Sequence, residues 1–279
     1  MGEACDPTLG LPRILCLHGG GTNAGIFRIQ CRRIAADLRG EYRLVYAEAP
    51  FASEAGPDVL QVFSQNGPFK RWLRFGPAHP PITAAAAVAR LDRALEAAMA
   101  DDDARGGRGD WTALLGFSQG AKICASLLYR QQTRDADADA DADAAEGRAP
   151  EHHHHHHHHH HHRRPRFRFG VLIAGRGPPV SLEPDRAANE SLPTAADFSS
   201  AKEKEPRGGH VLTIPTIHMH GLQDPGLEEH RKLYREYCDP ETRSLLEWDA
   251  GHRLPIRPDD VTPLVEEIRR VARETATAK

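Results

Sequence analysis

No apolar stretch in the sequence approaches the ~18–20 residues needed to cross a bilayer, which argues against a membrane protein. Neither sign of charge dominates: 36 basic side chains face 39 acidic ones, a formal net of −3. Such a balance gives no electrostatic case for a nucleic-acid partner. The first residues, Met1-Gly2-Glu3-Ala4-Cys5-Asp6, lack the basic start and following apolar stretch of a secretory signal, so none is expected. Cysteine is scarce, with five at positions 5, 16, 31, 124 and 238. An odd count without paired metal spacing reads as reduced thiols, and the expected location is cytoplasmic.

Histidine, by contrast, is abundant. Eleven of the 18 histidines form one run, His152 to His162. An Asp-Ala alternation from Asp135 to Asp143 precedes it, and Arg163-Arg164-Pro165-Arg166 follows. Thr133 to Arg166 lacks apolar periodicity and cannot bury enough surface to offset its ordering entropy. It is read as a disordered low-complexity insert in a single domain spanning 1–279, leaving 245 residues for the fold. The tract can bind divalent metal adventitiously, but no cofactor or dedicated metal site is expected.

Around the insert, short apolar runs alternate with helical periodicity. Strands are predicted over Arg13 to Leu17, Tyr42 to Ala47, Trp111 to Leu115, Phe167 to Ile173, Thr216 to His220 and Ser244 to Trp248. Helices are predicted over Ile26 to Leu38, Thr83 to Ala100, Ala121 to Arg130, Leu227 to Tyr237 and Val261 to Arg273. Phe51 to Pro81, rich in Gly and Pro, reads as an excursion over the surface. This alternation predicts an α/β fold with a mostly parallel, doubly wound sheet and helices on both faces.

Gly116-Phe117-Ser118-Gln119-Gly120 lies between a predicted strand and helix, the setting a nucleophile elbow requires. The turn is so tight that the residues two before and two after the serine must lack side chains, and both are Gly. Serine needs a base to take its proton, and the base needs a carboxylate to orient it. Asp224, in Gly221-Leu222-Gln223-Asp224-Pro225, and His252, after Gly251, each follow a predicted strand and complete the order Ser, acid, His. Asp249 is a second candidate acid, although its closeness to His252 in sequence works against it. Asp239, at a helix end, is a third. His18-Gly19-Gly20-Gly21 after the first strand supplies a loop whose backbone can approach an oxyanion. Gly20, with Gly19 or Gly21 as alternatives, and Gln119 are the expected N–H donors.

Two rival readings use the same stretches. Gly19-x-Gly21 with Gly25 and Glu48 resembles a degenerate dinucleotide fingerprint, as in an NAD(P)-dependent reductase. Its spacing departs from G-x-G-x-x-G, and it leaves Ser118, Asp224 and His252 without a shared purpose. A catalytically silent α/β domain whose His-rich loop binds metal or a partner is the third reading. His218-x-His220 shares one face of a strand, as a zinc pair would, but no third ligand has an obvious position.

The chain resembles the fungal serine hydrolase family, a branch of the α/β-hydrolases. The likeness rests on Ile14-Leu15-Cys16-Leu17-His18-Gly19-Gly20-Gly21-Thr22-Asn23-Ala24, Ala49-Pro50-Phe51, Gly67-Pro68-Phe69 and Arg71-Trp72-Leu73. It continues through Gly116-Phe117-Ser118-Gln119-Gly120-Ala121, Gly221-Leu222-Gln223-Asp224-Pro225 and Gly251-His252-Arg253-Leu254-Pro255. The resemblance implies an α/β-hydrolase fold and a triad of Ser118, Asp224 and His252. It also implies a small-molecule ester or thioester substrate, with the acyl carrier domain of a polyketide synthase as a partner that delivers it. Phe69, Trp72 and Phe75 are the expected wall of the acyl pocket. Thr133 to Arg166 is the departure from the family pattern.

Overall fold

Alternation along the strands builds two cores. In β1 (Arg13–Leu17), Ile14 and Cys16 face one side of the sheet and Leu15 and Leu17 the other, all buried. The computed structural model describes residues 6–57, 59–146, 165–184, 192–197 and 211–277. The remaining elements are α1 (Ala24–Gln30), α2 (Arg32–Asp37), β2 (Arg43–Ala47), β3 (Phe51–Ser53), α3 (Val59–Phe63) and β4 (Phe69–Arg71). They continue with α4 (Ala84–Ala104), β5 (Trp111–Phe117), α5 (Gln119–Glu146), β6 (Phe169–Ile173) and β7 (Thr216–Gly221). The last are α6 (Leu227–Tyr237), β8 (Arg243–Trp248) and α7 (Pro258–Thr277).

Six strands form one parallel sheet in the order β2-β1-β5-β6-β7-β8. Phe27, Ile34, Val261, Leu264 and Ile268, from α1, α2 and α7, cover one face. Val88, Leu91, Ile123, Leu128 and Leu233, from α4, α5 and α6, cover the other. The chain leaves β1 for β2 on one side and crosses back to β5 on the other. The reversal opens a crevice at the carboxyl ends of β1 and β5, where open α/β sheets bind ligands. This is the architecture expected of an α/β-hydrolase. No helix among the described residues is long and apolar enough to cross a membrane.

Several local features differ from the sequence reading. The predicted helix Ile26 to Leu38 is two short helices meeting at Cys31, which ends α1 and precedes α2. The surface excursion holds an antiparallel pair, β3 with β4, plus α3. The largest difference is in α5, which runs to Glu146, so residues 133–146 of the expected disordered insert are helical. Alanine at every second position supplies the strongest helix former, and Arg134–Glu183 (2.6 Å) and Asp135–Arg166 (3.2 Å) ion pairs tie this stretch to the body. Residues 147–164, with the histidine run, lie outside the described residues.

At the amino ends of β1 and β2, Asp102 near the end of α4 is almost wholly buried. It accepts from Arg43 (Nε to Oδ1, 2.9 Å) and from Arg13 (Nη1 to Oδ2, 3.3 Å). It thereby ties α4 to β1 and β2. Cys16, Cys31, Cys124 and Cys238 are free and buried, and burial raises the pKa of each thiol, that of Cys238 to about 12, which disfavours the reactive thiolate.

Candidate active site

Ser118 sits between the last residue of β5 and the first of α5, with φ at 53°. That left-handed conformation costs a non-glycine residue on the order of 1–3 kcal/mol and persists only where the surroundings impose it. Here they do. A Cβ on Gly116 would lie 2.5 Å from the Ala121 nitrogen, and one on Gly120 would collide with the carbonyl oxygen of Leu17. The two glycines are what allow β5 to turn into α5 directly beneath the serine.

The loops after β7 and β8 are stitched together by their backbones. Leu222 N–H donates to Trp248 O and Gln223 N–H to Ala250 O, both at 2.9 Å. A Cβ on Gly221 would strike the Ala250 carbonyl, so the loops meet only because that position is bare. The stitching sets Nδ1 of His252 2.6 Å from Oδ2 of Asp224 and Nε2 of His252 2.9 Å from Ser118 Oγ. A carboxylate only accepts, so Nδ1 carries the imidazole proton and the Nε2 lone pair faces the serine hydroxyl. The Phe117 ring, 4.9 Å from that of His252, supports it from the side.

The Asp224 carboxylate has no solvent exposure. Burial works to raise its pKa. The Gly226 amide, which donates to Oδ1 at 2.8 Å, and the His252 hydrogen bond overcome this and hold the carboxyl below its ordinary range. The two other candidate acids lie elsewhere. Asp249 accepts from Gln223 Nε2 at 2.5 Å, and Asp239 accepts from the Glu241 amide at 2.8 Å.

The loop after β1 lies against the elbow: a Cβ on Gly19 would be 3.6 Å from that of Ser118. His18 is buried and ties this loop to the next strand. Its Nδ1 lies 2.7 Å from Gly19 O, and its Nε2 accepts from the Ala49 amide at 3.1 Å. Gly21 is removed from the set of oxyanion donors, because its N–H is spent on Lys70 O at 2.9 Å. Its carbonyl accepts from Gly56 at 2.9 Å, which leaves the dinucleotide reading without a free Gly21 backbone to cradle a pyrophosphate. The N–H groups of Gly20 and Gln119 have no acceptor among the described residues.

The Gln119 side chain has a role that the pentapeptide does not announce. Its Oε1 accepts from the amides of Trp72 (2.7 Å) and Leu73 (3.1 Å), and its Nε2 donates to Leu73 O (3.1 Å). The residue after Ser118 thus clamps the segment after β4. Trp72 does not fit the expected acyl-pocket wall. It is wholly buried in the core, and its indole N–H donates to His18 O at 2.8 Å. Phe75 is half exposed, and a Cβ on Gly20 would touch its ring at 3.4 Å. Phe69 is partly buried on β4.

Behind Asp224 lies a row of buried imidazoles. The period of β7 turns His218 and His220 toward α6, which contributes His230. Ring centroids are 5.9 Å apart for His218–His220, 5.6 Å for His220–His230 and 6.1 Å for His230–His252. His230 Nε2 is 3.7 Å from Asp224 Oδ2. Burial lowers His220 and His230 to about 4 and His218 well below its ordinary value. His230 escaped the sequence reading because one histidine in an amphipathic helix carries no signal. His218-x-His220 does not gain a third imidazole as a zinc set. Among the described residues the one grouping of metal-ligand type is Asp224, His230 and His252.

Residues 10–264 match the model of the family described as Serine hydrolase (FSH1). Esterase claE of Penicillium crustosum is 50% identical over 274 residues, covering 97% of this chain and 96% of that protein. Esterase citA of Monascus ruber is 49% identical over 273 residues, covering 98% of this chain and 97% of that protein. Among solved structures, a carboxylesterase from Mesorhizobium loti is 16% identical with a TM-score of 0.47, covering 92% of this chain and 88% of that chain.

Proposed function

The chain belongs to the serine hydrolase (FSH1) family and is an ester hydrolase, and we propose that it cleaves its substrate through an acyl-enzyme on Ser118. The observation that carries this reading is the unbroken hydrogen-bonded chain from Ser118 Oγ through His252 to Asp224. His252 Nε2 takes the hydroxyl proton as Oγ attacks the acyl carbonyl. Asp224 holds the proton on Nδ1 and stabilises the imidazolium that forms. The N–H groups of Gly20, in the loop after β1, and of Gln119, at the first turn of α5, face the oxyanion, where the helix terminus also favours negative charge. His252 then returns the proton to the leaving alcohol or thiol, and water attacks the acyl-enzyme by the reverse path.

The substrate class is a small-molecule carboxylic ester or thioester of fungal secondary metabolism. The family resemblance supports that setting, as does the near full-length likeness to proteins named esterases. A polyketide acyl group delivered as a thioester on a carrier domain fits the same chemistry, and Phe75 beside Gly20 is the pocket residue best placed to meet its chain. The test is hydrolysis of matched p-nitrophenyl esters and N-acetylcysteamine thioesters by the wild type and Ser118→Ala. Turnover lost in the variant supports the reading, and equal turnover by both contradicts it. A preference for the thioester of more than about tenfold in kcat/KM would point to a carrier-bound substrate.

A further inference from the structure

We propose that Asp224, His230 and His252 form a binding site for a zinc-like divalent cation, and that filling it switches the hydrolase off. The inference rests on the triad reading, because it assigns a second use to two of its members. Its ground is an unexplained side chain. His230 is fully buried, neither ring nitrogen has a hydrogen-bond partner among the described residues, and its Nε2 faces Asp224 Oδ2 at 3.7 Å. A buried polar atom left unpaired costs about 1–3 kcal/mol, so an imidazole kept beside a catalytic acid in that state calls for a ligand.

The donor set suits zinc. One carboxylate and two imidazoles, with water in a fourth position, make a tetrahedral N2O set. The ligating atoms of the three residues already lie within 4.8 Å of one another. Zinc bonds of 2.0–2.2 Å put neighbouring donors about 3.4 Å apart in a tetrahedron. The His252–Asp224 pair, at 2.6 Å, must therefore open, and His230 must close slightly from 3.7 Å. Asp224 and His230 are sealed, whereas the side chain of His252 is a third exposed, so the cation enters past the His252 ring.

Inhibition follows from the tautomer. The metal takes the Nδ1 lone pair of His252, so the N–H bond at Nδ1 breaks and that proton moves to Nε2. Nε2–H then donates to Ser118 Oγ instead of accepting from it. The serine keeps its proton, and no base remains to remove it.

The experiment uses full-length, EDTA-treated protein in buffered free zinc, because the His152–His162 run is a second sink for the metal. Hydrolysis of p-nitrophenyl acetate is compared with each protein's own zinc-free rate in the wild type, His230→Gln, and a variant with His152–His162 replaced by serine. The half-inhibiting zinc concentration is expected to rise at least tenfold in His230→Gln and to stay within twofold in the tract variant. Equal sensitivity of wild type and His230→Gln, no inhibition at all, or inhibition that vanishes with the tract would each overturn the proposal. Calorimetric zinc binding in the tract variant, with and without His230→Gln, reads the site independently of turnover and covers a His230→Gln protein too slow to assay. Binding lost with His230 supports the site, and binding retained overturns it. Failure of the triad reading would show separately, as a zinc-free wild type whose Ser118 does not react with a fluorophosphonate.

Discussion

Ser118 Oγ and His252 Nε2 stand 2.9 Å apart although 134 residues separate them in sequence. Parallel strands bring them together, since β5 and β8 both end on the same rim, and the backbone stitching of the β7 and β8 loops places the acid behind the imidazole. The arrangement gives Asp224 and Ser118 distinct expected phenotypes.

Asp224→Asn should reduce kcat by about 10³- to 10⁴-fold, because an amide no longer fixes the proton on Nδ1. Asp249→Asn should leave the rate within about twofold, since Asp249 contacts Gln223 rather than His252. Steady-state kinetics of the two variants checks this. A larger loss for Asp249→Asn would reassign the acid.

Gln119→Ala keeps the backbone N–H but removes three hydrogen bonds to Trp72 and Leu73. We expect kcat/KM to fall by ten- to a hundredfold, equivalent to about 1.4–2.7 kcal/mol at 1.36 kcal/mol per decade. Ser118 should still react with a fluorophosphonate, more slowly. Labelling at the wild-type rate would show that the clamp does not serve the site.

Asp102→Ala should destabilise the fold by about 3–5 kcal/mol, as expected when one partner of a buried ion pair is removed. The variant leaves Arg13 without its buried carboxylate partner and Arg43 without its hydrogen bonds to Oδ1 and Oδ2. Urea unfolding measures the loss. The rate per folded molecule should be preserved, because Asp102 and its two arginines lie at the amino ends of β1 and β2, away from the carboxyl-end rim that carries Ser118.

Acid should weaken the fold before it protonates the carboxylates. An unfolded histidine takes a proton near pH 6.5, whereas burial holds His220 neutral down to about 4 and pushes His218 well below its ordinary value. Between those values the unfolded state binds more protons, so stability falls as pH falls from about 6.5 towards 4. The shift at His220 corresponds to on the order of 3 kcal/mol. Tm measured across this window should drop, and His220→Leu should flatten the slope. An unchanged slope in the variant would contradict the assignment.

What the sequence disclosed and what it concealed have physical causes. The elbow was legible because the crowding around Ser118 excludes side chains at Gly116 and Gly120, and steric demands of that kind leave glycines at fixed offsets. Asp224 and His252 were legible because strand ends of a parallel sheet share a rim. The clamp by Gln119, the burial of Trp72 beneath His18 O and the approach of His230 to Asp224 were not legible. Each is a contact between distant segments whose residue types have ordinary local explanations. Compositional bias misled in one place, since the Asp-Ala stretch that reads as polar filler continues α5 for fourteen residues, 133–146.

Covalent labelling tests Ser118 as the proposed nucleophile most directly. Wild type and Ser118→Ala should be treated with a fluorophosphonate and the adduct mapped by peptide mass spectrometry. One adduct is expected on the peptide carrying Ser118, formed in parallel with loss of activity and absent from the variant. An unlabelled wild type, or an adduct that persists in Ser118→Ala, would contradict it.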